Sequence, residues 1–135
     1  MSFREEIINK LKASGLTPTS QRIDIAQILF ARPQHVSAEQ VLEMVNNEGA
    51  ATASKATVYN TLGVFADKGL IKEVIVDPSK VFYDSNVTHH FHFYNTDTGS
   101  LTDIPADTIN FDKLPELPEG TKSDGLEVIL RIKNK

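Results

Sequence analysis

Three of the four histidines in this chain, His89, His90 and His92, fall inside the stretch Thr88-His89-His90-Phe91-His92-Phe93-Tyr94. Imidazole is the commonest side-chain ligand for borderline metals and titrates near neutral pH, so this density asks for a chemical role. As a strand, the segment puts His90 and His92 on one face and Phe91 and Phe93 on the other, with His89 pointing away from its neighbour. Two same-face imidazoles chelate an ion but do not complete a site. Further ligands must come from elsewhere in the fold, where the remaining histidine is His35. The plain alternative is a solvated strand edge that happens to be rich in histidine.

The elements that must position these residues read as follows. Phe3, Ile7, Ile8 and Leu11 recur at helical spacing, with Gly15 as a stop signal. A second helix opens behind Thr17-Pro18-Thr19-Ser20, carries Ile23, Ala26, Ile28, Leu29 and Phe30, and closes at Pro33. Ser37-Ala38-Glu39-Gln40 is a capping box ahead of Val41, Leu42 and Val45, in a helix ending near Asn46–Gly49. A fourth helix starts near Ser54 and buries Val58, Leu62, Phe65 and Ala66. That leaves Lys55, Thr57, Tyr59, Asn60 and Thr61 towards the exposed N-terminal half. Threonine methyls and a tyrosine ring suit thymine methyls, and asparagine pairs with adenine in the major groove. An ordinary solvated helix face explains the same composition.

Two strands, 70–76 and 80–83, follow around the turn Asp77-Pro78-Ser79. Helices ending in a hairpin are the order of a winged helix-turn-helix, with the fourth helix as the recognition helix. Beyond it, 90–94 and 100–104 read as a second pair of strands around Asn95–Gly99. A stretch rich in Pro, Asp and Glu leads to a last strand, 126–132, with Leu126, Val128, Leu130 and Ile132 on one face. Three strands bury little area alone, so a second copy of the chain is the expected partner. The fold class expected is therefore α+β: an N-terminal winged helix-turn-helix (1–84) followed by a small α/β dimerisation domain (85–135).

Composition narrows the function. The 135 residues include no cysteine, which excludes disulfides, thiolate ligands and cysteine nucleophiles. No run of about 18 apolar residues is present to span a bilayer, and the N-terminus lacks a secretory pattern, so a cytoplasmic protein without a membrane partner is expected. The net charge of −4 argues against a general nucleic-acid binder. Residues 1–75 nevertheless balance eight Lys/Arg against eight Asp/Glu, while residues 76–135 carry six against ten. The acidity sits in the second half and leaves the first free to contact DNA locally.

Taken in order and at these spacings, five segments resemble the ferric uptake regulator family of metal-responsive transcription regulators. They are Gly15-Leu16-Thr17-Pro18-Thr19-Ser20-Gln21-Arg22, His35-Val36-Ser37-Ala38-Glu39, Ala56-Thr57-Val58-Tyr59-Asn60-Thr61-Leu62, Gly69-Leu70-Ile71 and His89-His90-Phe91-His92. Within the family the chain is most similar to the iron-response regulator branch, through 83–90 and Leu114–Gly120, with the peroxide regulator branch close behind. The resemblance implies a homodimer on a double-stranded DNA operator, with Arg22, Lys55, Thr57, Tyr59 and Asn60 towards the DNA. It also implies a hinge metal site of His35, Asp84, His90, His92 and Asp103. Three imidazoles and two carboxylates suit Mn²⁺ or Fe²⁺. Asp84 in place of glutamate is the pattern of peroxide regulators, in which iron-bound histidines are oxidised.

Three departures qualify the resemblance. Asn95 and Thr98 replace the CxxC of a structural zinc, so that zinc is expected to be absent and the second domain to hold by packing alone. Phe91 replaces an acid of a second metal site. Thr17 and Asn60 stand where many relatives have basic residues. In the iron-response branch the histidine cluster is implicated in haem binding, which makes His89, with His90 and His92, the candidate haem residues. Two other functions draw on the same residues: a haem sensor in which haem releases DNA, and a small metal-dependent enzyme. The enzyme lacks a general base beyond the ligands and any HExxH-type motif.

Overall fold

The computed structural model describes residues 1–48 and 53–135. Gly49, at the expected end of the third helix, lies outside the described residues. The chain divides into two units, Met1–Val87 and Thr88–Lys135.

The first unit holds α1 (Phe3–Ala13), α2 (Ser20–Phe30), β1 (His35–Val36), α3 (Ala38–Glu48), α4 (Lys55–Asp67), β2 (Lys72–Asp77) and β3 (Lys80–Asp84). Each helix starts where a hydroxyl stands ready to satisfy an orphan amide. Ser2 accepts from Glu5 N–H, Thr19 from Arg22 N–H and Ser54 from Thr57 N–H. The capping box forms in both directions: Ser37 N–H donates to Gln40 Oε1 at 2.8 Å, and Gln40 N–H to Ser37 Oγ at 3.2 Å. Gly15 and Gly69, at φ +79° and +73°, end α1 and α4. The next residues, Leu16 and Leu70, donate five positions back to Leu11 and Phe65, as a Schellman motif requires.

The apolar stripes of the four helices meet in one core that includes Leu11, Ile25, Leu29, Val41, Val45, Val58, Leu62 and Phe65. Thr61, expected towards the exposed half of α4, is buried instead. It sits three residues after Val58 and next to Leu62, on the side that faces the core. Ala66 is only half-buried.

The sheet of this unit has the order β1-β3-β2, antiparallel throughout. The β2–β3 hairpin turns on Asp77, whose carboxylate accepts from Ser79 N–H at 2.8 Å. The two-residue β1 is too short to carry a period in the sequence. It matters because its pairing sets His35 opposite Asp84.

The second unit is the sheet β5-β4-β6, with β4 (His90–Asn95) between antiparallel β5 (Leu101–Pro105) and parallel β6 (Ile129–Ile132). The last strand is shorter than the expected 126–132. Of the residues expected to share one face, Leu126, Leu130 and Ile132 are exposed. Between β5 and β6 the described structure has one short 3₁₀ helix, Ala106–Thr108, and exposed Leu114 and Leu117.

Packing is not all that closes this unit. Asn95 Oδ1 accepts from the amides of Asp97 and Thr98 at 2.9 and 3.1 Å, and its Nδ2 donates to Asn134 at 3.0 Å. Asn134 N–H donates to Asp97, and Thr96 N–H to Ile132 O, both at 2.9 Å. Polar pins thus tie the chain end to the turn where a CxxC would otherwise stand.

Candidate metal centre and nucleic-acid interface

The pleat of β4 puts His90 and His92 on one face, and its register with β5 sets Asp103 directly opposite His92. Both imidazoles are buried, whereas the Asp103 side chain is half-exposed at the rim. Asp103 Oδ1 lies 3.5 Å from Nε2 of each ring. The ring centroids of His90 and His92 are 4.6 Å apart. One donor atom from each of the three residues falls within 4.8 Å of the others.

The tautomer of His90 follows from its other nitrogen. Nδ1 lies 2.6 Å from the Thr88 carbonyl oxygen, and a carbonyl only accepts, so Nδ1 carries the proton. In the neutral ring Nε2 is then a lone pair, and it faces a carboxylate. A backbone carbonyl holding Nδ1–H while Nε2 points at an acidic group is the arrangement that orients imidazole as a metal ligand. The donor set fits a divalent cation of the Mn²⁺ or Fe²⁺ type, with nitrogen and oxygen donors and no sulfur.

The other two expected ligands form a pair of their own in the first unit. His35 and Asp84 are register partners on adjacent antiparallel strands, which puts their side chains on one face. Asp84 is fully buried and accepts from Asn86 N–H at 2.9 Å. His35 is half-buried, with its ring edge-on to Phe82. Ser85 holds the end of this sheet: Gln34 N–H donates to its Oγ at 3.1 Å, and its own N–H donates to Gln34 O at 3.0 Å.

His89 is placed apart from this arrangement. It lies before β4 rather than in it and is exposed, its ring edge-on to Phe91 at 4.9 Å. The strand begins at His90, where the sequence places its start.

On α4, Lys55, Tyr59 and Asn60 are exposed and Thr57 is half-buried. Thr57 is engaged at its own helix start, where Ser54 Oγ–H donates to its hydroxyl at 3.0 Å. The Lys55 ammonium stands 5.6 Å from the centre of the Tyr59 ring. Tyr59 O–H donates to Glu39 of α3, and that bond is the main reason its phenol is held above the usual tyrosine range. The same bond is the first cause of the lowered Glu39 carboxyl. Twenty positions separate the two residues, so no local pattern announces Glu39. Arg22, half-buried on α2, donates from Nη1 to the Thr17 carbonyl at 3.1 Å.

The family model described as "Ferric uptake regulator family" matches residues 13–124. The chain belongs to the ferric uptake regulator family. It is a metal-responsive transcriptional regulator. Among its relatives is the peroxide-responsive repressor PerR of Staphylococcus aureus, 30% identical over 106 residues, which cover 78% of this chain and 71% of that one. The same fold occurs in the ferric uptake regulator of Vibrio cholerae, with TM-score 0.73 at 24% identity over 94% of this chain and 98% of that one. It occurs also in the manganese-containing ferric uptake regulator of Pseudomonas aeruginosa, with TM-score 0.71 at 22% identity over 96% and 98%. Among the described residues no helix is long and apolar enough to cross a membrane.

Proposed function

We propose that the protein is a homodimeric, operator-binding repressor of iron- or peroxide-linked genes. Its DNA affinity would be set by Mn²⁺ or Fe²⁺ held by His35, Asp84, His90, His92 and Asp103. The observation that carries the reading is the convergence of two buried imidazoles, His90 and His92, on the Asp103 carboxylate, with His90 Nδ1 held by a backbone carbonyl and Nε2 left towards the acid. When bound, the cation supplies the positive charge these donors need. His35 and Asp84 come from the first unit and the other three from the second, so a shared ion would hold the units in one arrangement. In a dimer that arrangement sets the separation of the two α4 helices, which has to match half-sites on the duplex. Occupancy then changes operator affinity by favouring one conformer.

Exposed Leu114, Leu117, Leu126, Leu130 and Ile132 support a dimer, because the second unit buries little without a partner. On DNA, Lys55, Tyr59 and Asn60 would reach bases or phosphates, with Thr57 and Arg22 supporting the approach.

Fluorescence anisotropy on a duplex from the gene's own promoter, at one fixed salt concentration, tests the proposal. The titration is run with chelator, with Mn²⁺, and with Mn²⁺ plus haemin. Binding that requires Mn²⁺ and is lost in Asp84→Ala and His90→Ala is the expected result. Equal binding by both variants and wild type would remove the switch. The haemin arm separates this mechanism from haem-driven release, for which exposed His89 is the accessible imidazole.

A further inference from the structure

A second acidic group is buried in the first unit, on a helix that carries none of the proposed metal donors. Asp24 lies on α2 between Ile23 and Ile25, in a run of buried residues, and is itself only 7% exposed. Its Oδ2 has no hydrogen-bond partner, and no ion pair reaches the carboxylate among the described residues. A buried polar atom left this way costs stability, and an apolar residue would serve the helix better. Core packing therefore does not account for it.

Asp24 lines a cavity of about 320 Å³ that it shares with Gln27, Ile28, Ala31, Arg32, Gln34 and Met44. Gln34 does not answer the carboxylate. Its Nε2 is committed to the carbonyls of Ile28 and Leu29, at 2.7 and 3.2 Å, where it closes the end of α2. Arg32 is exposed on the same cavity, and its guanidinium makes no ion pair among the described residues, with Asp24 or with any other acid. The cavity thus presents a buried carboxyl group, an outer cation, two amide side chains and the apolar groups of Ile28, Ala31 and Met44. A divalent cation would find one carboxylate here and no imidazole, too few ligands for a site.

We propose that this cavity binds a small zwitterionic amine of α-amino-acid size, with its ammonium on Asp24, its carboxylate towards Arg32 and its side chain against Ile28, Ala31 and Met44. The volume is at the lower end of small-molecule pockets, which suits such a ligand better than a nucleotide or a cofactor. The charge-assisted bond to Asp24 supplies orientation and most of the selectivity.

The test is calorimetric titration of the full chain with the standard L-amino acids, then with the deaminated and decarboxylated analogues of whichever binds. Saturable binding with one ligand per chain is expected, lost when the amino group is removed. Asp24→Asn should weaken it about tenfold or more, the scale of one charged hydrogen bond. Without ligand, Asp24→Asn should melt no lower than wild type, because Oδ2 has no hydrogen bond to lose. Arg32→Gln, at an exposed position, should weaken the amino acid while leaving the decarboxylated amine unaffected. Failure of the whole panel to bind, or unchanged affinity in Asp24→Asn, overturns the proposal. So does equal binding by the deaminated analogue. The metal reading would stand in each case, since Asp24 lies on none of the strands that carry its donors.

Discussion

Asp103→Asn is the most decisive perturbation of the proposed metal centre. The side chain is half-exposed, while His90 and His92 behind it are buried, so the amide removes a charge without opening a cavity. Metal-free stability serves as the baseline, because Asp103 Oδ1 also lies 3.5 Å from both buried imidazoles. The metal-linked increment above it is what should fall. A cation at a hundred times its dissociation constant stabilises the folded chain by about 2.7 kcal/mol. For a chain of this size about 1 kcal/mol corresponds to roughly 4 °C, so Mn²⁺ should raise the wild-type melting temperature by about 10 °C. If loss of the anionic ligand weakens binding about a hundredfold, the same Mn²⁺ concentration equals the new dissociation constant and stabilises by only about 0.4 kcal/mol. The variant should then shift by about 2 °C. Melting curves followed by circular dichroism, with chelator and with Mn²⁺, measure both numbers. Equal Mn²⁺-dependent shifts in wild type and Asp103→Asn would show that the cation binds elsewhere.

Other consequences follow from the same geometry. Phe65→Ala, at a fully buried position of α4, should destabilise by about 3–5 kcal/mol in urea unfolding, through lost transfer energy and the cavity it leaves. Ser54→Ala removes the cap of the same helix and should cost about 1 kcal/mol. Asn95→Ala should speed amide exchange at residues 129–132, because the bonds that pin the chain end to the turn go with that side chain. The Tyr59 phenol is held above the usual range, so the stability gained from its bond to Glu39 is present below about pH 10 and fades as pH rises through the raised value. On the acid side Glu39 is held low, so the same bond persists above the ordinary glutamate range and is lost as pH falls through the depressed value. Ultraviolet titration should therefore show one tyrosine moving down towards its ordinary range in Glu39→Gln; an unchanged profile would contradict the bond.

Local chemistry was legible throughout the chain. Ser2, Thr19, Ser37 and Ser54 cap helices because a short hydroxyl can reach the free amides, and the apolar stripes behind them settle which faces are buried. The alternation in β4 likewise brings His90 and His92 together without help from other elements, since the period of a strand is a covalent property. Tertiary structure decided the rest. Asp103 meets His92 only through the β4–β5 register, and His35 meets Asp84 only through a two-residue strand with no period to read. The Tyr59–Glu39 bond and the buried Asp24 depend on how α2, α3 and α4 pack, and spacing along the chain carries no record of that. The last strand shows the converse: Leu126, Leu130 and Ile132 share a face by sequence, but alternation alone does not supply the surface that would cover it. A sequence specifies which side chains share a face; only the packing of distant segments determines what that face meets.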